Sequence, residues 1–128
     1  MQPTVFGMQK NKGRPMPTTN SLYYYAYQEE NSDHPPLLLI HGAGGSHLYF
    51  PPELRRLNGF RVYAVDLPGH GKSKGTGKQN IDDYIQVIQN FMDEIGLSAA
   101  IIIGHSMGSA IALQLALTAP DRILALAI

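Results

Sequence analysis

The chain has 128 residues, of which 44% are hydrophobic, and its 10 lysines and arginines balance 10 aspartates and glutamates. That length fits one domain with enough apolar material for a core, and zero formal charge argues against a surface built to neutralise nucleic-acid phosphates. With no cysteine, neither a disulfide framework nor a thiolate metal site is available.

In chain order, residues 1–20 carry Lys10, Lys12 and Arg14 without an acid and are punctuated by Pro3, Gly7, Gly13, Pro15 and Pro17. They read as a flexible leader or a weak edge strand, with no apolar run of the signal-peptide kind. A cytoplasmic protein is the expectation. Residues 22–27 alternate Leu22, Tyr24 and Ala26 against Tyr23, Tyr25 and Tyr27, a period of two that predicts a strand. Its tyrosine stripe suits sheet packing first and a ligand groove second.

From residue 37 one grammar repeats. Apolar runs at 37–40, 62–65, 99–103 and 123–128 are strands apolar on both faces, as in a parallel sheet covered by helices on each side. Ile81, Tyr84, Ile85, Ile88, Phe91, Met92 and Ile95 share one helical face, with Asn80 as N-cap, Asp82 and Asp83 in the first turn and Gly96 at the stop. Phe50, Leu54 and Leu57 predict a shorter helix begun by Pro51 and Pro52. Residues 107–119 are apolar almost all round, as a buried helix is, and Pro120 ends them. No stretch is long enough to span a bilayer. Residues 21–128 are therefore expected to form a doubly wound α/β layer structure, mostly parallel, with helices on both faces.

Gly104-His105-Ser106-Met107-Gly108 sits directly between a predicted strand and a predicted helix. A serine on so sharp a turn has its hydroxyl lifted above the sheet edge, and the flanking glycines leave room for the neighbouring strand and helix. The helix N-terminus favours the negative charge that develops in acyl transfer. On these five residues alone, a serine N-cap in a glycine-bearing turn fits equally well. Two more segments separate the readings. His41-Gly42-Ala43-Gly44-Gly45 ends an earlier strand as a small-residue loop able to offer a backbone N–H to an oxyanion, and Asp66-Leu67-Pro68-Gly69-His70-Gly71-Lys72-Ser73 follows the strand between.

With these three elements in this order, the chain from about residue 22 onward resembles the α/β-hydrolase fold superfamily, in its small esterase and lipase-like branch. The resemblance implies a serine hydrolase acting on an ester, thioester or similar acyl substrate through an acyl-enzyme, with no metal or organic cofactor. By position, Ser106 matches the nucleophile, and Met107 and Ala43 match the two residues whose backbone N–H groups form the oxyanion hole. Ser109 stands where many relatives have a second glycine. A serine at the elbow sets the chain apart from relatives with an aspartate nucleophile.

Nucleotide-binding readings fail on spacing. The glycine a phosphate loop ending in Gly71-Lys72-Ser73 requires would fall at Asp66, and His47, Lys74 and Asn80 occupy the last place of every candidate dinucleotide motif. Of the five histidines, His105 points away from its neighbour Ser106, His41 matches the residue that shapes the oxyanion loop, and His34, His47 and His70 are expected in surface loops. The fold orders its triad as serine, acid, histidine. After Ser106 there is only Asp121, in a turn where capping or solvation suits it, and no histidine. The predicted last strand would also be an apolar edge of the kind proteins avoid.

The expectation is thus the N-terminal part of a hydrolase, truncated or split. Its partners are a small-molecule acyl substrate and either a complementary C-terminal segment or a second copy in a homo-oligomer. The alternatives are a non-catalytic binding or complementation module, and a lyase or acyltransferase of the same fold.

Overall fold

The computed structural model describes residues 22–28 and 32–128; the predicted leader, residues 1–20, lies outside them. The elements run β1 (Tyr24–Tyr27), β2 (Leu37–Ile40), a 3-10 turn (His47–Tyr49), α1 (Pro52–Arg55), β3 (Val62–Val65), α2 (Ile81–Glu94), β4 (Ala100–Gly104), α3 (Met107–Thr118), a second 3-10 turn (Pro120–Arg122) and β5 (Ile123–Ala127). The described strands form one sheet in the order β1-β3-β2-β4-β5. β2, β3, β4 and β5 are parallel, and only β1 is antiparallel, against β3.

Strand periodicity sorts the core into two layers. On one face Leu38, Ile40, Tyr63, Val65 and Ile102 pack against α2 and α3, whereas on the other Leu37, Leu39, Val62 and Ala64 pack with Phe50, Leu54 and Leu57 around α1. Because both faces are covered, the strands read as unbroken apolar runs. The tyrosine stripe is divided the same way, with Tyr24 in the first layer and Tyr25 in the second.

α2 follows its sequence signals closely. Asn80 accepts a hydrogen bond from the Asp83 N–H, Tyr84, Ile85, Ile88, Phe91 and Met92 are buried, and Gly96 takes φ +79 just past the end. Burying each of the apolar side chains is worth roughly 1.5–3 kcal/mol before chain entropy is charged against it.

α3 departs from the expectation of a helix buried all round. Gly108, Ile111, Ala112 and Leu115 form a narrow buried stripe, while Leu113 is 45% and Leu117 70% exposed. The stripe is small because the helix lies close on the sheet, and no described element covers its outer side. β5, at the sheet edge, likewise exposes Leu124 and Leu126. Among the described residues no helix is long and apolar enough to cross a membrane.

The sheet order fixes where a site forms. β2 hands on to β3 on one side and β4 returns on the other, so the crevice at the carboxyl ends of β2 and β4 is the topological switch point. Ile40 and Gly104 are register partners there. The next residues of each strand are His41-Gly42 and His105-Ser106.

Candidate active site

Two residues, His105 and Ser106, turn the chain from β4 into α3. Ser106 adopts φ 55, ψ −117, and is the sole non-glycine residue with positive φ among those described. Such a conformation costs a side-chain-bearing residue roughly 1–3 kcal/mol, so the surroundings must hold it. The His105 N–H donates to Ile40 O (3.0 Å), and the Gly108 and Ser109 N–H groups donate to His105 O and Ser106 O, both at 2.8 Å. A Cβ on Gly104 would strike the Gly108 carbonyl, and one on Gly108 would strike Ile40 O. The Ser109 hydroxyl donates to Gly104 O (2.9 Å) and ties the first turn of α3 to the strand.

Ser106 is exposed, and the loop after β2 lies directly against it. A Cβ on Gly42 would meet Ser106 Cβ at 2.9 Å and His105 O at 3.1 Å. Gly42 O accepts hydrogen bonds from the Gly45 N–H (3.0 Å) and from His41 Nδ1 (2.6 Å). Since the peptide is trans, holding that carbonyl inward turns the Ala43 N–H out of the loop. Ala43 itself is exposed, and Gly44 beside it has φ +76. Met107 is the first residue of α3, where an N–H has no acceptor within the helix.

His41 is fully buried. Its Nε2 accepts the Leu67 N–H (2.9 Å), so Nδ1 carries the proton given to Gly42 O and the ring is neutral. Burial holds its pKa below the usual 6.5; the bond to Gly42 opposes this, His70 reinforces it, and Asp66 and His47 act more weakly in opposite directions. Protonation would set an N–H on Nε2 against the Leu67 N–H. The unfolded chain takes that proton more readily, so the stability His41 contributes is full above about pH 6.5 and lost as pH falls toward its folded pKa. The thermal midpoint should therefore drop between pH 7 and 5, and drop less in His41→Gln, which offers one donor and one acceptor without a titrating ring. An identical decline in both chains would sink this account.

The expectation for His47 is corrected. Placed in a surface loop by its polarity, it is 7% exposed and bonded to the fully buried Asp66. The His47 N–H and Nδ1 both meet Asp66 Oδ1, at 2.6 and 2.9 Å, and Oδ2 accepts the Lys72 N–H at 2.9 Å. Burial is satisfied by pairing, which single-residue polarity does not reveal. The signal available was an acid directly at the end of a fully apolar strand. His34 and His70 are exposed and half-buried, as expected of loops. The His105 ring stacks on Tyr49 at 4.0 Å.

Among the described residues, no histidine lies within hydrogen-bonding distance of the Ser106 hydroxyl, and Asp121 sits exposed in the turn after α3. None of the described His, Asp or Glu side chains gather in threes as a metal site would require. A cavity of about 340 Å³ lined by Pro68, Thr76, Val87, Asn90 and Phe91 shares no residue with this turn.

A family model described as alpha/beta hydrolase fold matches residues 35–128. The dihydrolipoyllysine-residue acetyltransferase component of the acetoin cleaving system from Cupriavidus necator is 41% identical over 97 residues, which are 72% of this chain and 25% of that protein. The pimeloyl-[acyl-carrier protein] methyl ester esterase of Aliivibrio salmonicida is 37% identical over 107 residues, 82% of this chain and 38% of the esterase. Among solved structures, the enol-lactonase from Burkholderia xenovorans LB400 superposes with a TM-score of 0.75 at 28% identity, covering 82% of this chain and 41% of its own. The chain thus spans well under half the length of each of these relatives.

Proposed function

The chain belongs to the α/β-hydrolase fold family, and on that premise we propose that it carries the nucleophile half of a serine acyl-hydrolase site. The observation that carries the reading is Ser106, held exposed at φ 55 at the switch point with the Gly42 loop against its Cβ. Ser106 Oγ attacks the carbonyl carbon of an ester or thioester, and its proton passes to a base. The oxyanion is met by the N–H groups of Ala43 and Met107, the latter at the positive end of α3. Collapse expels the alcohol or thiol, and water releases the acyl group from Ser106. The ester and lactone substrates named for two of the relatives support this substrate class.

No described histidine reaches Ser106, so the base is brought by a segment complementary to this chain. The apolar edge of β5, with Leu124 and Leu126 exposed, favours that arrangement, and equally supports a second reading in which the chain acts as a complementation module with no chemistry of its own. A fluorophosphonate probe separates them. Covalent labelling is expected at Ser106 once a C-terminal fragment of a family member is supplied, and none in Ser106→Ala. Labelling of the 128-residue chain alone would remove the non-catalytic reading. No labelling in any combination would remove the hydrolase. Acyl transfer to an alcohol or thiol shares the acyl-enzyme and would show as product dependent on that acceptor.

A further inference from the structure

The Ala43 N–H sits in a loop, residues 42–46, that has little packing of its own: Ala43 and Gly44 are exposed and the rest is Gly42, Gly45 and Ser46. Beyond the Gly45 N–H to Gly42 O bond within it, what holds it is at its ends, which are fastened to two adjacent residues, Leu67 and Asp66. His41, entering the loop, accepts the Leu67 N–H on Nε2 (2.9 Å). His47, leaving it, donates its backbone N–H (2.6 Å) and its ring Nδ1–H (2.9 Å) to Asp66 Oδ1.

Asp66 is itself fixed from several sides. Its second carboxylate oxygen accepts the Lys72 N–H (2.9 Å), its N–H donates to Tyr23 O (2.9 Å), and its carbonyl accepts the Ser73 hydroxyl. A Cβ on Gly71 would collide with the carboxylate, so the loop after β3 closes tightly over it. The His47 ring is steadied by two members of the tyrosine stripe: Tyr25 lies nearly parallel to it (11°, centroids 6.0 Å apart), and Tyr23 is tilted at 5.5 Å.

Burying a carboxylate is costly, and two apolar side chains would fill the same space with at least equal stability. An apolar pair could not hold the backbone N–H groups of His47 and Lys72 from two separate loops. We infer that Asp66, acting through His47, is the positioning residue that fixes the backbone of the 42–46 loop and with it the Ala43 N–H. The inference rests on the reading of Ala43 given under Proposed function. Asp66 is fully buried, so its effect reaches the reaction through the loop.

Three substitutions in the full 128-residue chain test it. Asp66→Asn keeps the shape but turns an NH2 group toward either His47 or Lys72, setting donor against donor. His47→Leu removes the Nδ1 bond and the ring contacts with Tyr25 and Tyr23. His47→Asn, which also lacks the ring, restores an amide N–H near the position of Nδ1, so the pair isolates the hydrogen bond. In wild type, the Ala43 and Gly44 amides should show 15N order parameters of ~0.85, falling below ~0.6 in Asp66→Asn and His47→Leu. The amides of β4 and α3 should be unchanged, and His47→Asn should recover most of the rigidity. In the form that reacts with fluorophosphonate, the labelling rate at Ser106 should fall about tenfold to a hundredfold with the loop, since misplacement of about 1 Å costs that much.

If Asp66→Asn does not fold, the two His47 variants carry the same comparison, because each retains the backbone N–H bond to Asp66. An Ala43 amide as rigid in His47→Leu as in wild type would overturn the inference, whatever the labelling. Loosening of Ala43 in a chain that never labels would uphold the clip and count against the hydrolase, so the two can fail separately.

Discussion

Ser106→Gly is expected to abolish covalent labelling and, in the same step, to make the chain more stable. The serine occupies φ 55, ψ −117. That is far from the left-handed basin near ψ +47 and is sparsely populated for any residue with a Cβ. Holding it there costs roughly 1–3 kcal/mol. Glycine adopts such angles freely but gives back roughly 0.5–1 kcal/mol through the greater freedom of its unfolded chain. The net gain is about 1 kcal/mol. Ser106→Ala keeps the Cβ and the strain, so its stability should stay within ~0.5 kcal/mol of wild type while labelling is lost just as fully. Where the protein turns over an ester, losing the nucleophile is worth on the order of 10⁶ in kcat, as in other serine enzymes. Urea denaturation of the three chains isolates the strain from the chemistry. A Ser106→Gly chain less stable than Ser106→Ala would mean that the turn is not strained.

The sharp turn at Ser106 was legible before any coordinates. Gly104, Ser106 and Gly108 lie between an apolar run and a helical run, which marks the turn locally, although choosing the nucleophile turn over a serine N-cap needed the segments at 41–45 and 66–73 as well. The strands at 37–40, 62–65 and 100–104 were legible too. Each is covered on both faces, and coverage writes itself as unbroken apolar sequence. Asn80, Asp82, Asp83 and Gly96 mark the ends of α2 by chemistry that acts within one turn.

What failed to show was pairing across distance. His47 and Asp66 are separated by 19 positions, and either alone looks like a solvated loop residue. Only together do they meet each other's hydrogen-bonding needs in the core. Asymmetric coverage was equally hidden in α3. Uniformly apolar composition suggested burial all round, yet the side chains that meet the sheet are Gly108, Ile111, Ala112 and Leu115, chosen for smallness or fit, while Leu113 and Leu117 are exposed. Hydrophobicity records what a face tolerates and does not record which neighbour it meets.

Gly108→Ala tests the closeness of that contact and should be strongly destabilising. By propensity alone, alanine inside a helix is favoured over glycine by about 1 kcal/mol. Gly108 has no positive φ to protect, so conformation gives no reason for glycine here. The contact does. A Cβ would overlap Ile40 O and lie 2.7 Å from His41 O, both backbone atoms of β2 and its loop, so no side chain can swing aside to make room. The helix must move off the strand, at about 3 kcal/mol or more, which outweighs the propensity gain. The shift also carries Met107 and Ser106 away from the His41 loop, so molecules that still fold should label more slowly. Gly75→Ala is the matched contrast. Gly75 has φ +85 with nothing within 4 Å, so its alanine should cost only about 1 kcal/mol, through backbone strain alone, and leave labelling unchanged. Denaturation midpoints of the two variants decide the matter: if Gly108→Ala were neutral or stabilising, α3 would not be seated on β2 as closely as the elbow requires, and the placement of Ser106 beside Ala43 would lose its structural support.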